Sequence, residues 1–331
     1  MRGTFKLLPL LLVASLTACA NEANNAKRFY CFGTVVTTKI NAKDNTPFKE
    51  VKKICNRIDA LADSYYKRDV FGVYDLNLTN EKVEISEELY DLLYWAKKVQ
   101  EDAPYYNPLI GSLSQKWKDS LANNQVLSDS VIQEELNKVN ASSLEIENSG
   151  TAFYAQRVGD AKIDLGAIAK GYALYQCQNY LEDEYFTEDY GDFIINAGNS
   201  SVLLGNYQGK DRDYYLVMIS DLSAPSYLHL NKCVISTSSV SEQGVKIGDK
   251  TYSHIINPVT GSAINNYDGV IVINDQEAYG NAALGDALST SLMMSSLEEI
   301  AQTENDLGVG IIAIKDDTVV YKSESIEIHN G

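Results

Sequence analysis

The chain has 331 residues, 45% of them hydrophobic and 22% charged, which suffices for a packed core in one large body. Its formal net charge of −17 excludes nucleic acid as a partner, because phosphate backbones are held by Lys and Arg clusters, and it argues against adhesion to anionic lipid. An anionic substrate on such a protein needs a cation between the two.

Arg2 and Lys6 flank the start of an apolar run, LLPLLLVASLT, too short to span a bilayer, which takes roughly 20 residues. The run reads as a secretory core and ends in L-T-A-C at Leu16 to Cys19. In this the N-terminus resembles a bacterial lipoprotein precursor, with residues 1–18 as signal peptide and Cys19 as the lipid-bearing residue. An ordinary signal peptide with a chance cysteine is the plainer alternative. On the first reading 19–28 form a tether, 29–331 form the folded domain, and the protein is exported, anchored to the membrane by lipid only, facing the periplasm or the cell exterior. Cys31, Cys55, Cys177 and Cys233 are too widely spaced for a CxxC motif; Cys55 and Cys177 fall in apolar helical patterns, and no disulfide is assigned.

The domain opens with a strand, RFYCFGTVVTTKI. Val51, Ile54, Ile58 and Leu61 at helical spacing predict a helix over 47–67. A second covers 86–101, with Ser86 as its cap and Glu87 and Glu88 in its first turn. The polar stretch 119–142 carries a helix near 130–139, and 143–163 alternate like strands. A helix follows over 166–183, strands dominate 192–274, an apolar helix pair spans 280–306, and two strands close the chain. The order is no regular βαβ alternation. It predicts an α+β fold, a single body of mixed or antiparallel sheets and packed helices, with the site between two lobes.

Four stretches carry candidate chemistry. In KIDLGAIAKGYALY, 162–175, Gly166 permits a sharp turn and Gly171 close packing. Amides at that helix N-terminus suit an anion, and Lys170 adds positive charge. Asp164 either orients a ligand or merely caps the helix. In GDALSTSL, 285–292, Asp286 and Thr290 are four apart and share a helical face, a hard oxygen pair suited to Mg²⁺. Alternatively Asp286 is an N-cap and Thr290 bonds back to a carbonyl. In YSHIINPVTG, 252–261, His254 sits on a strand feeding an Asn-Pro turn, either as a proton shuttle or as a structural histidine. In YYNPLIGSL, 105–113, Tyr105 and Tyr106 either stack on an aromatic ligand or cover a surface turn.

Taken together these stretches resemble the ApbE family of FAD:protein FMN transferases. The resemblance is carried by FGT at 32–34, SYY at 64–66, YNPLIGSL at 106–113, DLGAIAKGY at 164–172, NAGN at 196–199, STSS at 236–239, HIINPVTG at 254–261 and GDALST at 285–290. It implies cleavage of FAD, transfer of FMN through a phosphoester to a Thr or Ser of a redox protein, and release of AMP. It further implies Mg²⁺ held by the Asp286 and Thr290 side chains and the carbonyls of Ala167 and Ser289. FAD contacts would come from Phe32, Tyr66, Tyr105, Tyr106, Asn107, Asp164, Lys170 and Ile256, with His254 deprotonating the acceptor hydroxyl. FAD diphosphatase and flavin-binding lipoprotein are the competing readings. Departures from the family pattern are Phe32 for methionine, Asn107 and Asn257 for aspartate, and Asn199 and Ser239 for glycine. The stretch KRDVFGVYDLN also differs from the family's usual continuation after S-x-Y.

Overall fold

The structure is a computed structural model, and it describes residues 26–186, 191–207, 209–240, 244–275 and 282–330. The expected signal peptide, Cys19 and most of the expected tether lie outside the described residues. Among the described residues no helix is long and apolar enough to cross a membrane.

An eight-stranded sheet organises the chain. Its strands are Lys27–Cys31, Thr34–Ile40, Phe193–Ala197, Ser201–Leu204, Cys233–Ser239, Gly269–Asp275, Gly310–Lys315 and Thr318–Lys322. They lie side by side in chain order, each pair of neighbours antiparallel. Side chains alternate between its faces. Ile195, Leu203, Val234, Val270, Val272 and Ile311 join the helical core, while Ile194, Leu204, Ile235, Ile271, Ile273 and Ile312 pack on the other side. That other side is covered by a small sheet of Tyr215–Met218, Ser226–Leu230 and His329–Asn330, through Tyr215 and Leu228. Both faces are buried, so GVIVIND and GIIAIK read as unbroken apolar runs.

Helices Thr46–Ala62, Glu87–Asp102, Ala169–Asn179 and Ala282–Leu292 form the layer on the first face. Ser86 caps the second of them as expected, its hydroxyl accepting from Leu89 N–H at 3.2 Å, with Glu87 and Glu88 in the first turn. A satellite core of Leu113, Trp117, Leu121, Leu136, Ile256 and Ala263 joins helices Gly111–Ala122 and Asp129–Asn140 to the HIINPVTG loop. Trp117 Nε1 locks this packing by donating to Gly261 O at 2.8 Å. The α+β expectation therefore holds, and the cavity described below lies between the sheet–helix body and the satellite core.

Several boundaries differ from the expectations. RFYCFGTVVTTKI is a hairpin rather than one strand: Phe32 and Gly33 form a two-residue turn with φ of 53° and 69°. The first helix stops at Ala62, because Asp63 turns the chain by accepting from the N–H groups of Tyr65 and Tyr66, each at 2.9 Å. Helix Gly111–Ala122 was hidden behind its Asn-Pro entry. The helix expected over 166–183 starts at Ala169 and continues as a π-helical turn over Tyr180–Tyr185. His254 lies two residues beyond the strand Lys250–Tyr252, in irregular chain.

Candidate active site

Each of the quoted stretches except SYY delivers a wall of one cavity of about 420 Å³. The Phe32–Gly33 hairpin tip, the turn at Gly198 and the strand end Thr237–Ser239 come from the large sheet; Asp286, Ser289 and Thr290 come from the helix Ala282–Leu292. Asp164, Ala167 and Lys170 approach along the entry to the neighbouring helix, and Tyr105, Tyr106, Asn107, His254 and Ile256 close the satellite side. Tyr66 is the exception. It is 72% exposed and outside the cavity lining, and the tyrosine of SYY that reaches the site is Tyr65, whose hydroxyl donates to Asp164 Oδ2 at 2.7 Å. The Asp63 turn sends the two adjacent side chains apart, and nothing in the sequence distinguishes them.

The metal candidates sit where two helices meet. Gly171 lies against the backbone of Ala282 and Ala283, and its N–H donates to Asp286 Oδ2 at 2.6 Å. The anion expected at this helix N-terminus is thus supplied by the protein's own carboxylate. Ser201 Oγ donates to Asp286 Oδ1 at 2.7 Å. Asp286 is mid-helix, not an N-cap. Burial raises its pKa, and Lys170 is the nearby charge that opposes the rise. Thr290 Oγ1 does bond back to Asp286 O at 3.1 Å, and Ser289 Oγ donates to the same carbonyl at 2.9 Å. Ser238 Oγ then reaches both hydroxyls, at 3.0 Å from Ser289 and 3.1 Å from Thr290.

Among the described residues no three His, Cys, Asp or Glu side chains gather in a metal cluster. One buried carboxylate amid hydroxyls and carbonyls is nonetheless a hard oxygen set that Mg²⁺ accepts, since that ion keeps waters and needs few carboxylates. Asp286 forms no salt bridge within the described residues, so no side-chain cation competes for its carboxylate. The donor set fits the ion.

His254 is a neutral imidazole at pH 7. Desolvation comes first, with help from the charges of Lys170 and Lys118, and together they pull its pKa from 6.5 down to about 4. Its Nδ1 is buried without a partner. The phenol of Tyr106 is likewise buried, unpartnered and on the cavity wall. Both groups have hydrogen-bonding capacity left for a ligand.

The departures from the family pattern have physical explanations here. Asn107 Oδ1 accepts from Leu109 N–H at 2.9 Å, and Asn257 Oδ1 accepts from Val259 N–H at 2.8 Å and Thr260 N–H at 3.0 Å. Both are turns that need only an acceptor oxygen, which amide and carboxylate supply alike. Asn199 has φ of 66°, the left-handed conformation that glycine favours and asparagine tolerates. Ser239 is buried, and its hydroxyl donates to Asp221 Oδ1 at 2.9 Å.

Known proteins resemble this chain in sequence and in fold. The sequence pattern of the ApbE family matches residues 32–313. The FAD:protein FMN transferase of Klebsiella pneumoniae (strain 342) is 24% identical over 257 residues, covering 75% of this chain and 77% of its own length. That of Chlamydia muridarum is 21% identical over 253 residues, covering 74% of each. Among solved structures, the ApbE protein of Thermotoga maritima superposes with a TM-score of 0.76 at 22% identity, over 91% of this chain and 97% of that one. The flavin transferase ApbE of Vibrio cholerae gives 0.71 at 19% identity, with the same coverage. The match runs from the hairpin tip at Phe32, on the cavity wall, into the strand Gly310–Lys315, and so the chain belongs to the ApbE family.

Proposed function

We propose that this chain is an FAD:protein FMN transferase, which cleaves the diphosphate of FAD, joins FMN to a Thr or Ser hydroxyl of a redox protein and releases AMP. Curated relatives carry that transferase name. The observation that carries the reading is one cavity holding a neutral, desolvated His254, the lysine Lys170 and the Asp286–Thr290 oxygen pair.

In this reading Asp286, Thr290 and the carbonyls of Ala167 and Ser289 hold Mg²⁺, whose chemistry there is to neutralise charge on the phosphoryl oxygens. Lys170 adds a second positive charge to the phosphate-binding wall. The neutral imidazole of His254 takes the proton of the acceptor hydroxyl while its oxygen bonds to the FMN phosphorus. The bond from that phosphorus to the bridging oxygen breaks, and AMP leaves with that oxygen. Tyr105, Tyr106 and Phe32 offer aromatic surface for flavin or adenine.

The test is intact-mass analysis of an acceptor subunit incubated with this protein, FAD and Mg²⁺. A gain of one FMN, less water, on the acceptor with one AMP released supports the transferase. AMP and free FMN without acceptor modification supports water as the acceptor, and intact FAD supports a binding protein. We propose in addition that Cys19 anchors the exported chain by lipid. Metabolic labelling with a fatty acid, lost in Cys19→Ala, tests it.

A further inference from the structure

Some lysines of this acidic protein are tied up in ion pairs. Lys53, Lys67, Lys82, Lys98, Lys116 and Lys138 each hold a carboxylate within salt-bridge distance. The two lysines that line the cavity, Lys118 and Lys170, have no such partner among the described residues. Lys170 lies in a stretch already singled out. Lys118 lies in none of them: it follows Trp117 on the helix Gly111–Ala122, one residue past the satellite core.

Lys118 is exposed, yet it is not left to wander in solvent. Its ammonium sits 4.3 Å from the centroid of the Tyr65 ring and donates to the Tyr65 hydroxyl at 2.9 Å. That hydroxyl in turn donates to Asp164 Oδ2, and Asp164 Oδ1 accepts from Gly166 N–H at 2.8 Å. Burial, then the neighbouring Asp164, raises the Tyr65 pKa, so the phenol keeps its proton and this relay has one direction only. Tyr65 is itself fixed by the Asp63 turn. The result is an ammonium held at the cavity mouth by a neutral group, with two N–H donors unspent. A carboxylate in place of Tyr65 would have cancelled the charge; a phenol positions it and leaves it active.

We propose that Lys118 is a phosphate-contacting residue of this site, a second lysine beside Lys170 for the diphosphate of the substrate, and that Tyr65 is the positioning residue that aims it. The inference rests on the FAD-cleaving reading given above. It explains how a protein of net charge −17 admits a diphosphate: cations left unpaired line the cavity itself.

The experiment measures dissociation constants of FAD, ADP and riboflavin for the wild-type protein with Mg²⁺, and for Lys118→Met, Lys118→Arg and Tyr65→Phe. Losing a charged hydrogen bond to phosphate is expected to weaken FAD and ADP by roughly tenfold or more in Lys118→Met. Riboflavin, which has no phosphate, should bind unchanged. Lys118→Arg should restore most of the loss. Tyr65→Phe keeps the ring but not the hydroxyl and should show a smaller loss confined to the same two ligands. Equal losses for riboflavin and FAD, or none for either, overturn the proposal. Failure of the wild-type protein to bind FAD and ADP at all overturns instead the FAD-cleaving reading on which it rests. Lys118 is exposed, so folding is not at stake, and melting curves of each variant check it.

Discussion

Replacing Gly171 with alanine tests the joint between the two site helices. At an ordinary mid-helix position, glycine to alanine stabilises by about 0.5–1 kcal/mol. Here an added Cβ would overlap the carbonyl oxygen of Ala282 and stand 2.8 Å from its carbon and 2.9 Å from Ala283 Cα, all backbone that no rotamer change can move. Relaxing carbon contacts to about 3.5–4.0 Å requires the helices Ala169–Asn179 and Ala282–Leu292 to separate by roughly an ångström. Overpacking of this kind costs about 1–3 kcal/mol, which outweighs the propensity gain. At about 2–4 °C per kcal/mol for a domain of this order of size, the expected net result is a Tm lowered by several degrees. The separation also pulls Gly171 N–H from Asp286 Oδ2, so the metal candidates lose their alignment. Thermal melts of wild type and Gly171→Ala with and without Mg²⁺ and FAD are the assay. We expect both a lower baseline Tm and a smaller shift on adding ligands. A Tm raised by the substitution would refute the packing argument outright.

The remaining expectations follow from the site. Asp286→Asn should fold, because its carbonyl oxygen still accepts, but it should lose Mg²⁺-dependent stabilisation and FMN transfer; a wild-type response to Mg²⁺ counts against the metal assignment. His254→Ala should bind FAD normally and transfer FMN about 10²–10⁴ times more slowly, as measured by single-turnover mass analysis. His254 also predicts a pH dependence of folding. Its folded pKa of about 4 lies below the unfolded 6.5, so the unfolded state binds the extra proton. The stability tied to the neutral ring is complete above pH 6.5 and is lost as pH falls towards 4, by up to about 3 kcal/mol. Denaturant melts of wild type should therefore show a loss in that window that His254→Gln lacks. Asn107→Asp and Asn257→Asp should leave Tm nearly unchanged, whereas alanine at either position should cost about 1 kcal/mol; equal losses for both substitutions would disprove the acceptor-only account of these turns.

Much of this site was legible because its stretches announce themselves locally. Asp286 and Thr290 share a face at any helical register, and Ser86 with Glu87 and Glu88 marks a helix start without help from the rest of the chain. What stayed illegible depends on contacts between distant segments. Tyr65 and Tyr66 are equivalent in sequence, and only the Asp63 turn decides which one meets Asp164, 99 residues on. Lys118 resembles any lysine of a polar helix until the Tyr65 ring comes beneath it. The opening hairpin was misread because Phe32 carries a left-handed φ that bulky residues seldom adopt, so its turn lacked the Asn-Gly signature.

The same dependence explains why the departures from the family pattern cluster where they do. Asn107 and Asn257 replace carboxylates whose turns use an acceptor oxygen and no charge. Asn199 replaces a glycine at a φ that asparagine also reaches. None of these positions needs the property that the substitution removes. Asp286 is different. Its buried carboxylate accepts from Gly171 N–H and the Ser201 hydroxyl under the charge of Lys170, so both oxygens and the charge are in use. A position is free to vary when one atom is used, and it is held when geometry and charge are both required. By that measure Asp164, with Gly166 N–H on one oxygen and the Tyr65–Lys118 relay on the other, belongs with Asp286 rather than with the asparagines.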